Sequence, residues 1–155
     1  MSEDTKAPGA GRPVRVFTTM VGDLFHHGHV NFLRAARALG DHLTVGLVSD
    51  RRAASYKRPP VMAFAERRAV VEACRHVNAV IELDENVTDD FMRAHGFGIR
   101  AYGVASEAEE ARNFRTLWKD MDPGWFRRID YTPGVSTTEI IARVLARPDL
   151  RGPGR

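Results

Sequence analysis

The sequence holds a single cysteine, Cys74, in 155 residues, which excludes an internal disulfide framework and a multi-cysteine zinc site. Cys74 falls within a helical apolar pattern and reads as core filler. No apolar run approaches the length that spans a bilayer. Charge of one sign is also scarce. Lys and Arg number 23 against 20 Asp and Glu, a net charge of +3, and the arginines are scattered among acids. That balance disfavours nucleic-acid or membrane binding and suits a small anionic ligand. Residues 1–12 and 147–155 are polar and carry Pro and Gly, so both are expected as flexible tails, with no leader segment and a cytoplasmic setting. Residues 13–146 then form one domain large enough to bury a core.

Within that span, strand-like and helix-like patterns alternate. Val14 to Met20 reads as a strand, and a helix follows with Phe32, Ala35, Ala36 and Leu39 on one face, stopped by Gly40 as its C-terminal cap. Leu43 to Asp50 is a continuous apolar run suited to a buried parallel strand, with Asp50 at its carboxyl end. A basic loop, SYKRPP, precedes a helix predicted over Phe64 to His76, with Val70, Val71 and Cys74 inward. VNAVIEL, Gly98 to Val104 and Phe126 to Tyr131 read as further strands. Thr88 caps a short helix, and Ser106/Glu109 and Ser136/Glu139 fit capping boxes. The βαβα order predicts an α/β fold, a Rossmann-like doubly wound parallel sheet in a single domain.

The stretch with most chemistry is Gly22 to His29, GDLFHHGH. It lies at a strand-to-helix turn, where unpaired helical N–H groups favour anions and imidazoles can donate to phosphate oxygens. Two histidines three apart could instead bind zinc, but no third ligand stands nearby. His27 is expected to face away, and His42, His76 and His95 carry no pattern.

These residues resemble a known family. HHGH after a strand is similar to the HxGH signature of the nucleotidyltransferase superfamily, and DLFHHGHVNFLRAARALGD resembles its cytidylyltransferase version. YKRPPVMAFAERRAVVEACRHVNAVI resembles the second family segment and GVSTTEIIARV the third, in the family's order. The small cytidylyltransferases for glycerol 3-phosphate, ethanolamine phosphate, choline phosphate and phosphonates are the relatives by look. The resemblance implies transfer of CMP from CTP to a phosphate- or phosphonate-bearing acceptor, with release of pyrophosphate. It assigns catalytic roles to His26, His29, Lys57 and Arg67, and nucleotide binding to Asp23, Gly28, Ser136, Thr137 and Thr138. A Mg²⁺ ion carried by the triphosphate, no protein-held metal, and a homodimer are the further expectations.

Three departures from the family pattern stand out. Met20-Val21-Gly22 replaces the usual glycine, small residue and aromatic before the aspartate. Gly103-Val104-Ala105-Ser106 replaces an acidic motif after the fourth strand, and Tyr131 replaces an arginine before the third segment. Arg112, Arg115, Arg128 and Tyr131 are then the candidates for acceptor binding, with Trp118 and Trp125 first read as packing. Lost acids and added arginines suit an anionic acceptor such as phosphonoformate better than a cationic one. The rival readings are an ATP-dependent adenylyltransferase and a degenerate nucleotide-binding module.

Overall fold

The computed structural model describes residues 11–152. Of the expected tails at 1–12 and 147–155, residues 1–10 and 153–155 lie outside the described residues, while residues 148–150 form a single turn of 3₁₀ helix. Five strands, β1 (Arg15–Met20), β2 (His42–Val48), β3 (Ala79–Leu83), β4 (Ile99–Val104) and β5 (Phe126–Asp130), pair in the order β3-β2-β1-β4-β5, and every pair is parallel. The chain therefore steps outward from β1 to β3, then returns to the other side of β1. That reversal opens a crevice beyond the carboxyl ends of β1 and β4, where sheets of this kind take ligands.

The centre of the sheet is covered on both faces, so β2 (HLTVGLV) reads as a nearly continuous apolar run, whereas the edge strand β5 (FRRID) is largely exposed. On one face, Leu33 and Ala36 of α1 (His27–Arg37) and Val71 of α3 (Phe64–Glu72) pack on Val16, Val45, Leu47 and Ala101. On the other, Met92 of α4 (Asp89–Ala94) joins Phe17, Tyr102, Trp118, Met121 and Phe126, with Phe114 of α5 (Glu107–Arg115) packed against them. The doubly wound α/β prediction is thus what the chain builds. Thr88, Ser106 and Ser136 each accept a hydrogen bond from the backbone N–H three residues on, as their sequence context predicts.

Several local expectations are corrected. The basic segment is not wholly a loop, since Asp50–Tyr56 forms α2, capped by Ser49. Asp50 therefore opens a helix instead of closing a strand. The third helix ends at Glu72, short of His76, and Val70 is exposed while Val71 is buried. Gly40 is not the helix cap, which is Ala38 in right-handed geometry. It is small for another reason: a Cβ there would stand 2.6 Å from the Val14 carbonyl.

Candidate functional site

The turn after β1 is wound tightly. Gly22 has φ +68°, and Leu24 takes φ 46°, uncommon for a residue with a side chain. A Cβ on Gly22 would meet Leu47 at 3.2 Å and Val71 at 3.3 Å, so the displaced glycine seen in the sequence serves both the backbone conformation and the packing beneath it.

The histidines that follow build the helix as well as face the cavity. His26 is the N-cap of α1 and accepts at Nδ1 from the Gly28 amide, 3.1 Å; His29 accepts at Nδ1 from the His26 amide, also 3.1 Å. Two otherwise unpaired helical donors are satisfied this way. A ring nitrogen that accepts carries no proton, so each neutral imidazole holds its hydrogen on Nε2. The rings lie 3.9 Å apart between centroids. Burial, then the neighbouring His26, lowers His29 from 6.5 to about 4 against an opposing pull from Asp23, and burial followed by His27 lowers His26. Both are uncharged donors at neutral pH, a refinement of the idea of imidazoles simply drawn to anions. His27 is exposed and outside the cavity wall, as expected. Gly28 has a double reason for lacking a side chain: it lines the cavity, and a Cβ would stand 2.9 Å from the His26 ring.

That cavity, about 670 Å³, occupies the crevice at the carboxyl ends of β1 and β4. Its wall includes His26, Gly28, His29, Lys57, Ser136, Thr137 and Thr138, which stand far apart in sequence and were expected to share one edge of the sheet. Lys57 and Arg58 are exposed at the end of α2. Ser136 caps α6 (Thr137–Leu145), so the helix N-terminus opens on the cavity beside the hydroxyls of Thr137 and Thr138.

Asp23 also lines the cavity but is almost fully buried, and both its carboxylate oxygens are engaged. Oδ2 accepts from the Val61 amide at 2.9 Å and Oδ1 from the Met62 amide at 3.0 Å. Its backbone carbonyl accepts from Thr137 Oγ1 at 2.9 Å. Asp23 thus ties three ligand-facing segments together, and Thr137 is held by its hydroxyl from the same point.

Arg67 does not belong to the cavity wall. It is the largest fully buried side chain, and its guanidinium donates to the carbonyls of Val21, Val48 (3.0 Å) and Met62 (3.2 Å) and to Asp50 Oδ1 (2.5 Å). It fastens the ends of β1 and β2 to α2 and α3, and with these donors occupied a phosphate cannot displace them cheaply. Arg112 and Arg115 are exposed and outside the wall, while Arg128 pairs with Glu110 (2.9 Å) and Asp130 (3.2 Å). The arginine cluster anticipated around the acceptor is therefore not assembled there. Tyr131 is in the wall, its ring lying so close over Gly103 that a Cβ there would meet Cδ1 at 2.9 Å. Trp118 is both packed in the core and part of the wall; Trp125 is not in the wall and bonds to Asp89 at 3.0 Å.

Sequence reasoning missed Tyr102 and Thr132, also in the wall. The Tyr102 hydroxyl donates to Glu110, and Thr132 Oγ1 accepts from Asn31 Nδ2 at 3.0 Å, joining α1 to the loop before α6. Tyr102 sits next to Gly103 in a strand whose end the sequence marks, and that adjacency was the available signal. Nothing in the sequence marks Asn31. Among the described residues no group of three or more His, Cys, Asp or Glu is placed to hold a metal ion, and no helix is long and apolar enough to cross a membrane.

A parallel sheet with a reversal crevice, a helix N-terminus and imidazoles held by Nδ1 bonds at its carboxyl edge defines the class: a doubly wound α/β protein with a cavity at its switch point. A lipopolysaccharide core biosynthesis protein from Thermoplasma volcanium GSS1 shares the fold, with a TM-score of 0.60 at 22% identity over 77% of this chain and 97% of that one. The profile of the cytidylyltransferase-like family matches residues 22–143, and the chain belongs to that family. It is similar to the ethanolamine-phosphate cytidylyltransferase of Arabidopsis thaliana (36% identical, 86% of this chain and 33% of the relative). It is similar too to choline-phosphate cytidylyltransferase A of Homo sapiens (30% identical, 97% of this chain and 41% of the relative). The chain thus spans between a third and a half of the length of these relatives.

Proposed function

We propose that this chain transfers CMP from CTP to a small acceptor bearing a phosphate or phosphonate group, releasing pyrophosphate. The observation that carries this reading is the pair of imidazoles locked by their Nδ1 bonds as Nε2–H donors, on rings that line a cavity of about 670 Å³. An acceptor oxygen forms a bond to the α-phosphorus as the bond to the β-phosphate oxygen breaks, and its electron pair leaves with pyrophosphate. Both reactants are anions, so the site must align them and spread charge, and it needs no covalent nucleophile. His26 and His29 donate to the α-phosphate oxygens where charge builds. Ser136, Thr137, Thr138 and the α6 N-terminus receive the β- and γ-phosphates, and Lys57 and Arg58 bring cations on an exposed segment. Asp23, its oxygens engaged by amides, offers a metal little, so Mg²⁺ belongs on the triphosphate and water; bound there it neutralises the leaving group.

The acceptor is, in this reading, an acid and not an amino alcohol ester, with phosphonoformate as the example. Supporting it, Asp23 is the one carboxylate in the cavity wall among the described residues and both its oxygens are occupied, whereas Lys57 and Arg58 are exposed there. An ammonium group would find aromatic faces but no free carboxylate. The test is pyrophosphate release with each of the four NTPs against a panel of phosphonates and of choline, ethanolamine and glycerol phosphates. Release with CTP and an acidic phosphonate is expected. Preference for ATP, preference for an amino alcohol phosphate, or nucleotide binding without any release would each refute a stated part.

A further inference from the structure

Arg100 is a buried cation that the proposed chemistry leaves unused. It points to the same face of β4 as Tyr102, is 7% exposed, and donates to the thioether of Met121. Its Cζ stands 5.5 Å from the Trp118 ring centroid and 5.3 Å from that of Phe126. Among the described residues Arg100 forms no salt bridge, and the charged neighbour it feels is Arg52, of like sign. A sulfur is a weak acceptor and two aromatic faces carry no net charge, so this guanidinium lacks a counter-ion. Burial lowers its affinity for the proton, to about 10, yet it stays charged at neutral pH. An apolar residue of similar volume would fold here at least as well. One of the two rings it stands against, Trp118, is itself part of the cavity wall.

We propose that Arg100 sets the charge preference of the part of the cavity that Trp118 lines, its missing counter-ion being the second acid group of an acceptor bound against that indole. The inference rests on the transferase reading for the identity of the ligand but not for its test. Arg100 does not touch the acceptor in this arrangement. It acts through its field in a low-dielectric wall, so it is a specificity residue and not a catalytic one. Two unit charges separated by one aromatic ring, at an effective dielectric of about 20, change affinity on the order of tenfold or more.

The experiment is calorimetric titration with two probes, phosphonoformate, which adds a carboxylate to the phosphonate, and methylphosphonate, which lacks it. Each is run with a CTP analogue bridged by methylene between the α- and β-phosphates. The parent should bind phosphonoformate on the order of tenfold tighter. Arg100→Met should remove that preference while changing methylphosphonate binding by less than about twofold, and Arg100→Lys, which keeps the charge, should restore most of it. A parent that binds both probes alike, or neither, overturns the proposal with no variant needed. So does an Arg100→Met protein that weakens both probes equally. Because binding is the readout, failure to release pyrophosphate would refute the transferase reading alone, and normal release with equal binding of the probes would refute the Arg100 assignment alone.

Discussion

His29 makes two contacts through two different nitrogens, and they can be removed one at a time. Nδ1 accepts from the His26 amide at 3.1 Å and belongs to the helix start; Nε2–H is left to the ligand in the proposed reaction, on a ring that lines the cavity. His29→Asn places an oxygen near the Nδ1 position and removes the Nε2 donor. His29→Gln reaches toward the Nε2 position and gives up the cap. The cap bond is an ordinary neutral one, so its loss should cost about 1 kcal/mol. In the proposed reaction the other donor points where charge develops, and loss of such a donor costs about a hundredfold or more in kcat. His29→Asn should therefore unfold near the parental midpoint with kcat down on the order of a hundredfold. His29→Gln should unfold about 1 kcal/mol earlier and retain more activity than the Asn variant. Urea unfolding followed by fluorescence, beside continuous pyrophosphate detection at saturating CTP, reads both. An Asn variant within a few-fold of parental kcat would mean that the Nε2 hydrogen does not serve the transition state, and the division of labour inferred for this ring would fall.

The depressed proton affinity of His29 has its own consequence. Below pH 6.5 the unfolded chain takes up a proton that the folded chain refuses until about pH 4, so this ring's contribution is complete above 6.5 and is lost as pH falls through that window, by roughly 2 kcal/mol after discounting solvent contact. Unfolding free energies measured between pH 7 and pH 4.5 check this, and a flat profile would contradict it. Arg67→Met, which removes a buried network of four acceptors, should lower stability by about 3 kcal/mol with loss of activity tracking the unfolded fraction, as circular dichroism beside activity would show. Gly28→Ala puts a methyl 2.9 Å from the His26 ring and should depress kcat on the order of tenfold or more while leaving the fold intact by the same spectra. Lys57→Ala, at an exposed site, should leave the unfolding free energy within about 0.5 kcal/mol and reduce kcat/KM for CTP at least tenfold, since the proposed reaction gives this side chain a charge-assisted bond to phosphate.

The sheet was legible because its central strand β2 is a nearly continuous apolar run, the other strands are apolar enough to stand out between turn signals, and Ser and Thr caps announce three helices. The helix Asp50–Tyr56 was not: Ala53 is its one buried residue, so it carries no apolar stripe to read. Val70 and Val71 are interchangeable by composition, and only the angle at which α3 meets the sheet buries the second. His26, His29 and the 136–138 hydroxyls were legible because local backbone geometry positions them. Arg67 and the α5 arginines were not. An arginine's chemistry is the same whether it meets phosphate, carboxylate or carbonyl, and the carbonyls that claim Arg67 come from Val21 and Val48, distant in sequence. Arg100 is the converse case: its charge is plain in the strand IRAYGV, but that it has no acidic partner among the described residues shows only in the fold.

Asp23 ties together segments that would otherwise answer to separate hinges. Its carboxylate holds the Val61 and Met62 amides, and its carbonyl holds the Thr137 hydroxyl. Amides in an exposed proline-flanked stretch ordinarily exchange with solvent deuterium within seconds. These two should exchange slowly and in step with the amides of the first turn of α1, so that the ligand-facing segments open to solvent as one body.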